Sequence, residues 1–396
     1  MLVTDTTDAQ GLVRANVRLG RSPGPATIKL SAPSLGLVDS ATFTITTGAT
    51  NAVRATNTDT ALVFGATATL SGRVVDRAGN TRPEVVTLSI SPGSAVMLNP
   101  ATGVASAQSI GMGWVYFRFN NLVDSTSVRA VPPGRLAALV GSEIRMVNTD
   151  GSNVRTLATN VSGGLGASPR FDASGQRVSF QNGSLFIATS FSIVDTTGPV
   201  RRDYDETVGL NSILATRVLA NGTVLALAQR TPERYSLWRV ANDNTLTAII
   251  AVPGLLSIQF SGDISPDGTQ IAYAVPAPPG NPELRVLNTT TGAVSMLEPQ
   301  ITGPRWSRPG DRIAYIAADG LAIINANGTG RRLIATGRVI APLTWSSDGA
   351  YIVATVEVPP NLLGLRVFRV SDGASVDLRF RSATGAIESY RYPDWR

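Results

Sequence analysis

Apolar and polar residues alternate in short runs that are separated by turn residues along most of the chain. The stretch 302–337 is an example: runs ending at Trp306 and covering 313–316, 321–324 and 331–335 are divided by Pro309-Gly310 and the segment 325–328. Alternation with a period of two, bounded by Gly, Asn and Pro turns, is typical of β-strands. We therefore predict a four-stranded antiparallel unit here.

This unit recurs through the second part of the chain. Five turn glycines each follow an apolar anchor by four positions; the anchor–glycine pairs are Phe171–Gly175, Val218–Gly222, Ile264–Gly268, Trp306–Gly310 and Trp345–Gly349. The second hairpin of the unit occurs six times, and the missing first strand matches the C-terminal Pro393-Asp394-Trp395. We predict a six-bladed β-propeller over 133–396, closed by the C-terminal strand, since closure leaves no free sheet edge.

The first third of the chain has the same alternation without this repeat. Residues 1–49 contain three strand-like runs, and 50–132 contain about seven at the spacing of a β-sandwich. Thr7-Asp8-Ala9-Gln10-Gly11 and Leu19-Gly20 resemble the bacterial Ig-like domains of invasin and intimin-type surface proteins. The resemblance implies a partial Ig-like domain at 1–49 and a complete one at 50–132. Either Met1 is a misplaced start, or a leader and further strands precede it.

The repeat also carries a family resemblance. The segments 265–273 (SPDGTQIAY) and 345–349 (WSSDG) resemble the repeats of the TolB family of periplasmic propellers. The resemblance covers 134–396 and implies a propeller in the cell envelope. TolB proteins have an α/β domain ahead of the propeller, whereas Ig-like modules are predicted in that position here. The predicted fold class is all-β: Ig-like β-sandwich modules followed by a six-bladed propeller.

Composition excludes several kinds of chemistry. The 396 residues include no histidine and no cysteine, which removes imidazole bases, Ser-His-Asp triads and thiolate nucleophiles or ligands. The net charge of +6 comes from dispersed arginines, with Lys29 as the only lysine, and no nucleic-acid motif occurs. No apolar run is long enough to span a bilayer. We predict no enzyme activity, no cofactor, no metal and no nucleic-acid partner; carboxylate chemistry is what remains open.

Two sets of residues are candidates for binding. Irregular insertions at 200–206, 229–235, 275–282 and 357–364 fall in the connections that share one face of a propeller. Variable loops on a rigid scaffold often bind partners. The candidate partner-binding residues are Arg201, Arg202, Asp203, Tyr204, Asp205, Arg234, Tyr235, Pro278, Pro279, Leu362 and Leu363. The residues before the anchors are candidates for the central channel, where they either line a polar funnel or pair with one another: Arg170, Arg217, Asp263, Arg305 and Asp394.

These observations favour a non-enzymatic scaffold protein of the bacterial cell envelope. We predict a periplasmic or cell-surface protein, peripheral to a membrane, whose loop face binds a protein partner. An extrinsic position on a transport, respiratory or photosynthetic membrane complex fits this description. One alternative is an adhesin-like protein that binds through its Ig-like modules. The other is a carbohydrate-binding or carbohydrate-active propeller that uses Asp263 or Asp394.

Overall fold

The computed structural model describes residues 6–14, 16–18, 20–162, 168–183, 188–198, 200–204, 208–231, 233–255, 261–277, 281–358, 362–382 and 384–396. The chain divides into two compact units. The leading unit comprises Met1–Thr60, Thr67–Ala105 and Gly113–Val128, and the repeat unit comprises Ala61–Ala66, Ser106–Met112 and Arg129–Arg396. A 3-10 turn of three residues occurs at Pro33–Leu35, and no helix among the described residues is long and apolar enough to cross a membrane.

The chain up to Val131 forms short antiparallel strands. Its elements are β1 (Gly24–Ala32), the 3-10 helix (Pro33–Leu35), β2 (Leu37–Ile45), β3 (Thr50–Ala55), β4 (Thr60–Val63), β5 (Thr67–Thr69), β6 (Gly72–Asp76), β7 (Thr87–Ile90), β8 (Val96–Asn99), β9 (Val104–Ala107), β10 (Gly111–Phe119) and β11 (Leu122–Val131). The hydrogen-bonded orders are β1-β2, β3-β6, β5-β9-β8 and β4-β11-β10-β7.

Strand β10 shows why the alternating pattern produces a one-sided sheet. Val115 and Phe117 are fully buried, whereas Met112 and Trp114 on the opposite side are 46% and 43% exposed. Successive side chains of a strand point to opposite faces, so a period of two in hydropathy buries one face. Gly72 packs against this face so closely that a Cβ there would lie 2.6 Å from a ring carbon of Phe117.

The remaining strands belong to the repeat unit. They are β12 (Arg135–Val140), β13 (Glu143–Asn148), β14 (Arg155–Ala158), β15 (Arg170–Phe171), β16 (Arg177–Gly183), β17 (Ala188–Asp195), β18 (Arg201–Tyr204), β19 (Ser212–Val218), β20 (Val224–Gln229), β21 (Ser236–Val240), β22 (Leu246–Ala251), β23 (Gly262–Ile264), β24 (Gln270–Ala277), β25 (Asn281–Asn288), β26 (Val294–Pro299), β27 (Ile301–Trp306), β28 (Arg312–Ala317), β29 (Gly320–Asn325), β30 (Arg332–Thr336), β31 (Val339–Trp345), β32 (Tyr351–Val358), β33 (Leu362–Arg369), β34 (Ser375–Leu378), β35 (Phe380–Arg381), β36 (Ile387–Glu388) and β37 (Arg391–Trp395).

Strands β12–β34 and β37 form six four-stranded antiparallel sheets. Five follow chain order, from β15–β18 to β31–β34, and the sixth has the order β14-β13-β12-β37. The predicted pairing of the C-terminal strand with the first sheet is confirmed: Leu136 lies opposite Trp395. Arg135 and Arg396 also exchange two backbone hydrogen bonds of 2.6 and 2.8 Å.

The first strands of these sheets lie beside one another. Contacts join β15 to β19, β19 to β23, β23 to β27, β27 to β31, β31 to β37 and β37 to β15. Each anchor lies in a different apolar core built from residues of neighbouring sheets; these buried anchors are Phe171, Val218, Ile264, Trp306, Trp345 and Trp395. The recurring anchor is therefore the residue that packs one sheet against the next.

The recurring glycine has a backbone reason. The five turn glycines have φ between 67° and 82°, in the left-handed region that residues with a Cβ adopt at a cost. Serines support the same turns: the Ser265 hydroxyl accepts a hydrogen bond from the Gln270 amide (2.9 Å), and Ser307 accepts one from Arg312 (3.0 Å). Turn conformation and strand pairing thus repeat together with the sequence.

Candidate binding site

A group of charged side chains comes together on the first strands of the sheets. The residue before each anchor has the same position in every repeat; in chain order these are Arg170, Arg217, Asp263, Arg305, Thr344 and Asp394. Arg308, from the turn after β27, reaches the same group. We call Arg170, Arg217, Asp263, Arg305, Arg308 and Asp394 the inner cluster.

Asp263 is one of two carboxylates in the inner cluster. Its Oδ1 pairs with Arg170 Nη2 at 3.3 Å and with Arg217 Nη2 at 3.2 Å. Its Oδ2 accepts a hydrogen bond from the Trp306 amide at 2.9 Å. Burial by itself raises the pKa of Asp263, but the neighbouring guanidinium groups outweigh burial and hold this pKa below its usual value.

Asp394 is the second carboxylate and joins its own sheet to three others. Its Oδ2 accepts the Phe171 amide at 2.7 Å and pairs with Arg308, and its Oδ1 accepts the Thr344 hydroxyl at 2.8 Å. Arg170 Nη1 lies 3.8 Å from Oδ1. Burial raises the pKa of Asp394, but Arg308 and Arg170 together lower it by more, so the net shift of this pKa is downward.

These pKa shifts bear on the carbohydrate-active alternative. A glycosidase needs one carboxyl group that stays protonated until it acts as the general acid. The pKa values of Asp263 and Asp394 are both lowered, so both side chains are carboxylates at neutral pH. Neither residue has the protonation state that this mechanism requires of its acid.

The arginines of the inner cluster are not equally neutralised. Among the described residues, Arg305 forms no ion pair, and its Nε donates to the Leu343 carbonyl at 3.2 Å. Burial, followed by the nearby Arg170, lowers the pKa of Arg305. Arg217 is 9% exposed, and its Nε has no hydrogen-bond partner within the described parts of the chain.

Arg308 is the member that the sequence analysis missed. It follows an anchor instead of preceding one, so the repeat position used to select the other residues could not find it. Its Nη1 donates to the Phe171 carbonyl at 3.0 Å and its Nη2 to the Trp395 carbonyl at 3.1 Å. Of the two arrangements considered for the pre-anchor residues, the structure has the paired one for Arg170, Arg217, Asp263 and Asp394. Their predicted role in lining a channel stays a prediction.

A second region lies beside β18. A pocket of about 300 Å³ is lined by Asn160, Ser162, Asn182, Ser190, Phe191, Ser192, Arg201, Asp203 and Tyr204. The sequence analysis placed 200–206 in an irregular connection; the structure instead places Arg201–Tyr204 in the fourth strand of its sheet. The difference arises because the sequence of a charged outer strand, exposed on one face, resembles the sequence of a loop.

The polar side of this pocket is an organised network. Arg201 Nε donates to Asp203 Oδ1 at 2.6 Å, and the Ser192 hydroxyl donates to the same oxygen at 2.5 Å. Asn182 Nδ2 donates to the Ser192 hydroxyl at 2.9 Å. Arg201 and Asp203 are both exposed, so this network faces solvent and can accept a partner's polar groups.

Tyr204 and Arg202 turn inward from the same strand. The Tyr204 ring stacks on Phe191 with 4.3 Å between centroids and is 2% exposed, so its role is packing. Arg202 lies over the Tyr204 ring at 4.8 Å and donates to the Asn242 side chain at 2.9 Å. Tyr204 thus packs β18 against β17, and Arg202 links β18 to the turn between β21 and β22.

The other predicted partner-binding residues have mixed environments. Arg234 is exposed, whereas Tyr235 is 1% exposed and shares a 2.6 Å hydrogen bond with Ser212, so Tyr235 is a core residue. Leu363 is 39% exposed on β33, opposite Glu357. Of the predicted loop 357–364, the described residues 357–358 and 362–364 are instead paired strand residues of β32 and β33. Asp205, Pro278 and Pro279 lie outside the described residues.

Metal binding finds no support in the described part of the chain, where no three acidic side chains are grouped closely enough to hold an ion. The prediction of no metal and no cofactor stays a prediction.

Solved structures with a similar fold were found. TolB from Acinetobacter baumannii matches with a TM-score of 0.53 and 14% identity over 78% of this chain and 82% of that chain. A putative TolB from Agrobacterium tumefaciens (TM-score 0.48, 11% identity, 67% of this chain and 98% of that one) and an oligogalacturonate lyase in complex with manganese (0.38, 14%, 64% and 77%) are more distant. No family model and no curated protein matches the sequence. The likeness to the Acinetobacter protein shows an all-β, TolB-like propeller fold.

Proposed function

We propose that this chain is a non-enzymatic scaffold whose propeller binds a protein partner at the periphery of a bacterial membrane. In this proposal the six sheets form a propeller closed by the C-terminal strand and preceded by Ig-like modules at 1–49 and 50–132. The protein is periplasmic or on the cell surface, and its partner is an integral-membrane complex. The observation that carries the proposal is the polar pocket beside β18, where Arg201 and Asp203 are held in place and exposed.

Part of this pocket lies at the end of the sheet where the sequence analysis predicted the irregular insertions. In a four-stranded antiparallel sheet, the connection between its second and third strands and the connection to the next sheet lie at the same end. Asn182 and Ser190 flank the first kind of connection, and Asn160 and Ser162 follow β14 in the second kind. Leu363 lies near the same end of its own sheet, beside the β32–β33 connection. The pocket thus extends from this end of its sheet along β17 and β18, where Arg201 pairs with Val194.

The proposal is tested by capture of the tagged full-length protein from detergent-solubilised membranes. Arg201→Glu reverses a charge in the pocket and Leu363→Asp places a charge at an exposed apolar position, so each should reduce recovery of the partner. Thr290→Glu, in an exposed turn between the third and fourth strands of another sheet, is the control and should not. Equal recovery with all three variants would reject the surfaces around Arg201 and Leu363 as the interface.

The adhesin alternative has one observation in its favour. The β1–β2 hairpin of the leading unit exposes Leu30, Leu37 and Val38, which are 59%, 62% and 71% accessible. Exposed apolar residues on a sheet are typical of interaction surfaces. Val38→Asp in the full chain should abolish capture under this alternative, whereas Leu363→Asp should leave it unchanged.

A further inference from the structure

The inner cluster contains more positive than negative charge. Four arginines face two aspartates, and the ion pairs that the structure describes for them all end on Asp263 or Asp394: Arg170–Asp263, Arg170–Asp394, Arg217–Asp263 and Arg308–Asp394. Both carboxylates already receive backbone or hydroxyl hydrogen bonds as well. Four arginines against two aspartates give the inner cluster a net charge of +2, and among the described residues Arg305 is the member without an ion pair.

Arg305 and Arg217 are the arginines of the inner cluster whose hydrogen-bonding capacity is least used. Arg305 has a carbonyl partner but no carboxylate among the described residues, and it is 9% exposed. The Nε of Arg217 is buried and has no described partner, although Nη2 of the same side chain pairs with Asp263. Guanidinium groups held near one another away from bulk water repel each other and lose hydration, and an anion placed between them offsets both costs.

The donors of the inner cluster determine which kind of ligand would fit it. Planar guanidinium groups donate in parallel pairs to the oxygens of carboxylates and phosphates. The side chains of Arg170, Arg217 and Arg308 retain 13%, 10% and 11% exposure, so the group is not sealed from solvent. The net charge of +2 on the inner cluster, four arginines less two aspartates, corresponds to a doubly charged anion.

We propose that the inner cluster is a binding site for a small oxyanion, with Arg305 and Arg217 as its principal donors. The oxyanion is a dianion of the phosphate or dicarboxylate class. This site is separate from the protein-binding surface beside β18 and does not depend on that surface being correctly identified.

Calorimetric titration of the full chain with inorganic phosphate tests the proposal, with sodium chloride keeping the ionic strength constant. Saturable binding is expected. Arg305→Gln should weaken it roughly tenfold or more, the effect of losing a hydrogen bond to a charged group. Arg338→Gln, at a position whose side chain is 76% exposed, should bind as the wild type does. A parallel titration with malonate separates the two sources: tighter malonate binding identifies a carboxylate ligand, and tighter phosphate binding a phosphate ligand.

Stability without added anion provides a second, independent readout. If Arg305 is an anion ligand whose charge is uncompensated, Arg305→Gln should raise the urea midpoint in anion-poor buffer, because the amide can still donate to the Leu343 carbonyl. A purely structural arginine would give a lower midpoint or an unfolded protein, and either result overturns the proposal. So does the absence of saturable binding of both anions to the wild type, or an unchanged affinity in Arg305→Gln.

Discussion

Arg308 pairs through Nη2 with Oδ2 of Asp394, a residue 86 positions further along the chain. Arg308 lies in the turn after β27, while Asp394 lies in β37, which belongs to the sheet that begins the repeat unit. Because Asp394 also accepts the Phe171 amide and the Thr344 hydroxyl, a single carboxylate connects the C-terminal strand to three other sheets. This connection makes the inner cluster central to stability.

Removing the charge of Asp394 should therefore be strongly destabilising. Asp394→Asn leaves Arg308 and Arg170 without this carboxylate in a buried setting, and breaking one side of a buried ion pair costs about 3–5 kcal/mol. Urea unfolding followed by tryptophan fluorescence measures the loss. Asp372→Asn at an exposed turn is the control and should lose far less, because solvent screens its pairing with Arg369. Equal midpoints for the two variants would show that the buried pairing adds nothing.

The same carboxylates predict acid sensitivity. Their folded-state pKa values lie below the ordinary aspartate value of 3.8, so the folded protein binds fewer protons than the unfolded chain as pH falls. The contribution of Asp263 and Asp394 to stability should be complete above about pH 4 and decline as pH falls through the folded-state values. Urea midpoints measured from pH 6 to pH 2 test this. Asp394→Asn should show a shallower decline, and a parallel one would contradict the assignment.

Substitution of the turn glycines should destabilise the protein because of their backbone conformation. Gly310 has φ of 81°, and a Cβ there would meet Pro266 only at 3.6 Å, an ordinary contact. Gly310→Ala should thus cost about 1–2 kcal/mol from backbone strain, without a steric clash. Gly198 has space around it and no positive φ, so Gly198→Ala is the control and should be neutral or slightly stabilising. Thermal unfolding of both variants distinguishes strain from packing.

Two equivalent tryptophans offer a matched test of one hydrogen bond. Trp345 and Trp306 are 2% and 3% exposed anchors, and Trp345 Nε1 donates to the Arg305 carbonyl at 3.0 Å. Trp306 Nε1 is buried without a partner in the described structure. Replacement by Phe removes similar apolar area at both sites, so Trp345→Phe should cost about 1 kcal/mol more in urea unfolding. A larger loss at Trp306 would contradict this reading of the two indoles.

The candidate site was only partly predictable. The position immediately before each anchor identified five residues of the inner cluster, because equivalent positions on neighbouring first strands lie near one another: Arg170, Arg217, Asp263, Arg305 and Asp394. It could not find Arg308, whose position after an anchor has no counterpart at the other turns. The predicted loops were less accurate, since Tyr204 lies in a strand and both Tyr204 and Tyr235 are buried. Composition alone cannot distinguish an exposed outer strand from a connection.

The sequence by itself determined the repeated strands, the turn glycines, the buried anchors and the pairing of the C-terminal strand with the first sheet. Each of these depends on local hydropathy or backbone conformation and on a pattern repeated along the chain. Only the tertiary structure decided which arginine meets which carboxylate, and that Arg305 meets none among the described residues. Long charged side chains reach across several sheets, and their partners are set by three-dimensional distance, which no spacing along the chain encodes.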